Sequence, residues 1–262
     1  MDQAGSPVLL AIEQSVAVIT LNRPRVLNAI DAQTARSLAD AIARVEQDGT
    51  ARALLLRGEG RAFCAGGDVA RFLEGDPTAA IEAIIDPLHE ALRALDALKL
   101  PTLAVVQGAA AGAGFSLSMA CDLCIAADDA VFSLAFARIG ISPDSSSTYR
   151  LPRLVGTRKA LELAMLAEPV RAPEALALGL VNRVVPAADL ASEAMAMARR
   201  LAQGPTAAYA RIKHLVGCSL GTDLSTQLDL EREAFLAGTR TADFREGAQA
   251  FLAKRPPQFE GR

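Results

Sequence analysis

The stretch Gly58-Glu59-Gly60-Arg61-Ala62-Phe63-Cys64-Ala65-Gly66-Gly67-Asp68-Val69 follows directly on the apolar run Ala53-Leu54-Leu55-Leu56. Four glycines within ten positions make a loop whose backbone N–H groups can approach a ligand closely, because no Cβ stands in the way. A second cluster, Gly108-Ala109-Ala110-Ala111-Gly112-Ala113-Gly114, follows the apolar run Leu103-Ala104-Val105-Val106 and opens a predicted helix, so its amides and the helix dipole face the loop mouth. Either cluster alone is equally what a tight turn looks like. Neither is a dinucleotide fingerprint, since Phe63 and Leu117 stand where the third glycine belongs. Two such clusters behind successive strand ends can converge two N–H donors on one carbonyl oxygen, the anatomy of an oxyanion hole.

Working outward, Val8-Leu9-Leu10-Ala11-Ile12 and Val16-Ala17-Val18-Ile19-Thr20-Leu21 read as a hairpin. Asp31 is a candidate N-cap for a helix carrying Ala35, Leu38, Ala39, Ile42 and Val45 until Gly49 stops it. A longer helix is predicted over 78–97, and strands over 123–126 and 130–133. This rhythm of apolar strand, loop and helix suits an α/β sheet buried on both faces. From Gly156 onward only helical periodicity is expected, over 158–167, 173–178, 190–201, 206–216, 223–236 and 243–252, punctuated by Pro169, Pro173, Pro186 and Pro205.

Composition narrows the partners. The 262 residues are 51% hydrophobic and 22% charged with a net charge of −3, enough to bury a large core and too apolar for disorder. No Lys/Arg-rich block offers an electrostatic grip on nucleic acid or an anionic membrane, which leaves small molecules. Cys64, Cys121, Cys124 and Cys218 are too few for a disulfide scaffold, and Met1-Asp2-Gln3-Ala4-Gly5-Ser6-Pro7 has no basic or apolar leader pattern, so a reducing cytoplasm is the expectation. The uncharged run from Leu100 to Cys121 contains Gln107, Gly108, Gly112, Gly114, Ser116 and Ser118 and reads as strand, glycine turn and buried helix. Cys121-x-x-Cys124 lacks the second ligand pair that zinc needs, and the two histidines, His89 and His214, leave few pieces for a metal site or a Ser-His-Asp triad; no metal is expected.

Cys64-Ala65-Gly66-Gly67-Asp68, Gln107 to Gly114, Ala120-Cys121-Asp122-Leu123 and Ala126-Ala127-Asp128 together strongly resemble the enoyl-CoA hydratase/isomerase (crotonase) family. The likeness extends through Gly140-Ile141-Ser142-Pro143-Asp144, Leu151 to Gly156, Gly179-Leu180-Val181 and Phe251 to Pro256. It implies an α/β spiral of ββα units over residues 1–200, a helical trimerisation region over 201–262, and an acyl-CoA thioester as substrate. By resemblance, the Gly67 and Ala113 amides hold the thioester oxygen, and Ala65, Gly66, Asp68 and Val69 lie along the CoA. Arg25 and Leu27 belong to the CoA-side loop, and Lys254 reaches the CoA phosphates from a neighbouring subunit of a homotrimer or hexamer. No cofactor is implied beyond the CoA that the substrate carries.

The family's hydratases place two glutamates around the substrate; the matching positions here hold Ser116 and Phe136, neither of which exchanges a proton near neutral pH. Asp144 is the acid that matches the proton shuttle of related isomerases. One carboxylate suffices for an allylic shift, taking a proton at one carbon and returning it two carbons along. Pro143-Asp144 before Ser145-Ser146-Ser147 is also a good turn and cap sequence. His89 lies near where related dehalogenases carry an active-site histidine, although Phe136 stands where they have tryptophan. Phe63, Phe72, Leu117, Phe132 and Phe136 are either core or walls of an acyl pocket, Phe136 being assigned to the pocket by its matched position. The leading expectation is therefore an enoyl-CoA double-bond isomerase. Its alternatives are hydration or dehalogenase-like hydrolysis on the same scaffold, or an acyl-CoA binding protein without turnover.

Overall fold

The structure, a computed structural model, describes residues 5–73 and 75–262; Met1–Ala4, part of the segment read above for a leader, lie outside the described residues. β1 (Val8–Glu13) and β2 (Val16–Leu21) form the expected hairpin. α1 (Ala32–Asp48) starts at Asp31, whose carboxylate accepts the Thr34 amide, and ends at left-handed Gly49. β3 (Ala53–Gly58), α2 (Val69–Phe72) and α3 (Pro77–Ala97) follow, then β4 (Thr102–Val106), β5 (Ala109–Ala111) and α4 (Ala113–Ala120). β6 (Leu123–Ala127), β7 (Val131–Ser133) and α5 (Ser147–Leu166), broken at Gly156, lead to β8 (Val170–Arg171), α6 (Ala172–Ala177) and β9 (Arg183–Val185). The chain closes with α7 (Leu190–Ala202), α8 (Thr206–Cys218), α9 (Leu224–Gly238) and α10 (Ala242–Leu252).

Six strands make the main sheet in the order β1-β2-β3-β4-β6-β9, parallel except for the β1–β2 hairpin, and β5, β7 and β8 make a small second sheet. Period-two alternation gives the main sheet two apolar faces. Ile19, Leu54, Leu56, Ala104 and Val106 pack with Leu38 and Ile42 of α1 and Leu88 and Leu92 of α3. Val18, Leu55, Leu103, Val105 and Ile125 pack instead with Leu190, Ala194, Ala198 and Ala202, a single stripe of α7 at four-residue spacing. The Leu100–Cys121 run is β4, β5 and α4, and no described helix is long and apolar enough to cross a membrane.

The expectation of helices alone after Gly156 is corrected by β8 and β9. Two- and three-residue strands are too short to show alternation, and β9 is a strand because β6 offers its free edge to residues 183–185. The helix expected over 158–167 is the part of α5 that follows the break at Gly156.

A short parallel bridge ties the two glycine loops: Cys64 N donates to Ala109 O at 3.0 Å, and Ala111 N to Cys64 O at 2.9 Å. Gly114 makes this approach possible, since a Cβ there would overlap the Cys64 carbonyl oxygen. Gly114→Ala is expected to lower unfolding stability by about 1–3 kcal/mol through overpacking, measured by denaturant titration.

Candidate active site

Because β3 and β4 are parallel neighbours, their following loops leave the same carboxyl end of the sheet, the usual place for ligands in such sheets. Ile30 pairs with the first loop, its N–H donating to Gly66 O at 2.7 Å while Asp68 N donates to Ile30 O at 2.9 Å. Both bonds go to residues flanking Gly67, and the Gly67 amide has no acceptor among the described residues. The Ala113 amide, at the first position of α4, has none either. The two lie close together: a Cβ on Gly66 would stand 3.6 Å from Ala113 N.

Both open onto a cavity of about 310 Å³ lined by Ala65, Gly66, Gly67, Val69, Ala113, Phe136 and Asp144. Its walls are mostly apolar. Ile81, Ile84, Ile85 and Leu88 form one face of α3, and Phe72, Ile139 and Ile141 face them from α2 and the turn after β7. Phe72 and Phe136 flank the free amides, one ring against Gly67 and the other 3.8 Å from where a Cβ of Gly112 would be. Phe63, Leu117 and Phe132 are fully buried core, with Phe132 tilted on Phe115 at 5.3 Å between centroids.

Asp144 supplies the one carboxylate among the described lining residues. Its side chain is 32% exposed, and its Oδ1 lies 2.9 Å from His89 Nε2. Its main chain shapes a turn: the carbonyl accepts from Ser147 N at 3.2 Å, from the Ser147 hydroxyl, and from Ser116 Oγ at 3.4 Å. Ser145 and Ser146 follow at φ 57° and 66°, two consecutive left-handed non-glycine residues of the kind that collects at functional sites. The turn reading and the site reading of Asp144 thus describe different atoms of one residue.

Other expected site residues stand outside this cavity. Asp68 faces Arg23 at 3.2 Å, and Arg23 also pairs with Asp31 at 3.0 Å. Burial works against the Asp31 charge, but the Thr34 amide and hydroxyl and then Arg23 outweigh it and hold that carboxyl below its ordinary value. Leu27 accepts the Ala65 amide through its carbonyl at 3.0 Å, whereas Arg25 sits exposed on the Pro24–Val26 turn. Lys254 lies exposed just beyond α10 at φ 53°. Cys121 and Cys124 are buried free thiols; burial pushes Cys121 up to about 12 and raises Cys124 as well.

The sequence reading did not assign the α3 wall or the further lining residues Arg138, Ile139 and Ile141. The apolar spacing at 81, 84, 85 and 88 was there to find, but a helix face has the same pattern whether it meets a core or an empty pocket. The enoyl-CoA hydratase/isomerase family model matches residues 11–262. The chain belongs to the enoyl-CoA hydratase/isomerase family. It is 44% identical to a Rhodobacter capsulatus protein named "probable enoyl-CoA hydratase", across 96% of both chains. It is 40% identical to the 1,2-epoxyphenylacetyl-CoA isomerase of Escherichia coli, across 97% of this chain and 98% of that one. The crystal structure of an enoyl-CoA hydratase from Polaromonas sp. JS666 superposes with a TM-score of 0.91 at 35% identity, covering 97% of this chain and 99% of the other. The fold is accordingly the crotonase-like α/β spiral with its C-terminal helices, in a family that acts on acyl-CoA substrates.

Proposed function

We propose that this enzyme isomerises the double bond of an enoyl-CoA thioester, with Asp144 as the proton shuttle and the Gly67 and Ala113 amides on the thioester oxygen. The observation that carries this reading is that Asp144 is the single acid among the cavity's described lining residues, while the resemblance assigns Ser116 and Phe136 to the positions where related hydratases place glutamates. An allylic shift needs one group that removes a proton and returns it, and donors that carry the dienolate charge meanwhile. A relative named as an isomerase of an epoxyacyl-CoA supports isomerisation of an acyl-CoA in general, and the mostly apolar lining suits an acyl group without charge.

In this scheme Ala65, Gly66, Val69 and Phe136 hold the thioester and the start of the acyl chain. Arg25, Leu27 and Asp68 belong to the CoA side, and Lys254 meets the CoA phosphates of a neighbouring subunit. The reaction asks for no cofactor beyond the CoA of the substrate, and the cytoplasm is its proposed compartment. The assembly is a homotrimer or hexamer, formed through residues 201–262, where Leu224, Leu228, Phe235, Phe251 and Leu252 are exposed.

Asp144→Asn should retain acyl-CoA affinity and lose turnover by roughly 10²- to 10⁴-fold. Wild-type enzyme given a 3-enoyl-CoA should yield the 2-enoyl isomer with no gain of water by mass; a gain of one water would select hydration instead. Halide release from an aryl-halide CoA thioester would select the covalent alternative, which the His89–Asp144 contact also fits. Ala113→Pro removes one amide donor at a helix position that tolerates proline, so kcat should fall by about 10²- to 10³-fold while circular dichroism stays unchanged. Light scattering should give three or six times the 27.4 kDa protomer mass, and a stable monomer at micromolar concentration would contradict the assembly.

A further inference from the structure

The proposed reaction gives Asp144 a task and leaves its neighbour His89 without one. The Asp144 backbone is anchored independently of that neighbour, through Ser147 of α5 and Ser116 of α4, which also meet each other at 3.0 Å between hydroxyls. What remains free is the rotation of the carboxylate. Its two oxygens are held differently: Oδ1 by His89 Nε2 at 2.9 Å, within ordinary hydrogen-bond range, and Oδ2 by Ser145 Oγ at 3.2 Å, beyond the usual O–H···O distance. Ser145 belongs to the same turn as Asp144 and its hydroxyl is free to rotate. His89 comes from a separate element, one helical step past the acyl wall of Ile81, Ile84, Ile85 and Leu88.

We infer that His89 is a positioning residue: by donating Nε2–H to Oδ1 it sets the plane of the Asp144 carboxylate and leaves Oδ2 as the atom that moves the proton. The inference rests on Asp144 acting as the shuttle. Oδ2 takes the proton from C2 of the 3-enoyl thioester, the freed electron pair passes into the dienolate, and the same proton returns at C4 to leave the 2-enoyl product. The Nε2 proton of His89 stays in place throughout, and nothing else is consumed. Because one helix carries both the acyl wall and this donor, seating of the acyl group and aim of the base are set by the same rigid element.

Steady-state kinetics of full-length His89→Leu, His89→Gln and Asp144→Asn with a 3-enoyl-CoA test this. His89→Leu should lower kcat by roughly 10- to 10²-fold, as a misaimed base does, with KM changed little. His89→Gln, whose amide can replace the donor, should recover most of that loss. Wild-type kcat in His89→Leu, or equal loss in both His89 variants, would overturn the positioning role while an inactive Asp144→Asn kept the isomerase reading intact. Turnover at the wild-type rate by Asp144→Asn would overturn the reading underneath. Should His89→Leu not fold, nitrogen-15 histidine spectra decide: the chain has two imidazoles, and one should show an exchange-protected Nε2–H in wild type that is lost in Asp144→Ala. Two exchanging rings in wild type would refute the donor.

Discussion

The pair of backbone hydrogen bonds between Cys64 and the Ala109–Ala111 strand is the constraint on which the site depends. Parallel strands β3 and β4 bring their two loops to the same end of the sheet, and this bridge ties the loops together beside the Gly67 and Ala113 amides. Both amides lack an acceptor among the described residues and open onto the cavity. The surrounding bonds of Ile30, Ala65 and Ala111 are complete, so the loops cannot relax to satisfy these two internally. Donors held open in this way suit an oxygen supplied from outside.

The segment before α1 buttresses that geometry from the other side. Asn28, fully buried and left-handed, accepts from Arg23 N at 2.8 Å and donates to Glu59 O and Ala62 O at 2.9 and 2.8 Å. Arg23 reaches the Ala29 carbonyl, Asp31 and Asp68. A charged cluster this enclosed has its hydrogen bonds supplied on several sides, the condition under which such pairs persist. The family motif around residues 120–128 is likewise architectural: Asp122 accepts the Thr102 amide and hydroxyl and pairs with Lys213 at 2.8 Å, while Asp128 accepts the Ala187 amide. Motif residues can mark a family through what they hold together rather than through what they bind.

Around the cavity, polarity is sparse. Its lining holds isoleucines, Leu88 and two phenyl rings, with the Gly67 and Ala113 amides open to it and one carboxylate, Asp144, among the described lining residues. Ser116 has its hydroxyl within reach of Gly112 O, Ser147 Oγ and the Asp144 carbonyl, and so braces the turn that carries Asp144.

By itself the sequence determined the α/β core, the hairpin, the capped helix α1 and both glycine loops, because apolar period, cap residues and glycine spacing are local signals, whereas Asp144 became the candidate acid through the family resemblance, its local pattern being that of a turn. Tertiary structure decided the rest. β8 and β9 exist because a neighbouring strand recruits them, not because two or three residues carry a pattern of their own. The α3 face became a pocket wall because the turn after β7 stands away from it and leaves space, which periodicity cannot register. His89 met Asp144 across fifty-five residues, a distance set by packing α3 against the rest of the fold. Local chemistry is written in spacing; a cavity and a long-range contact arise only when separate elements are brought to a fixed separation, and that is a property of the packed chain.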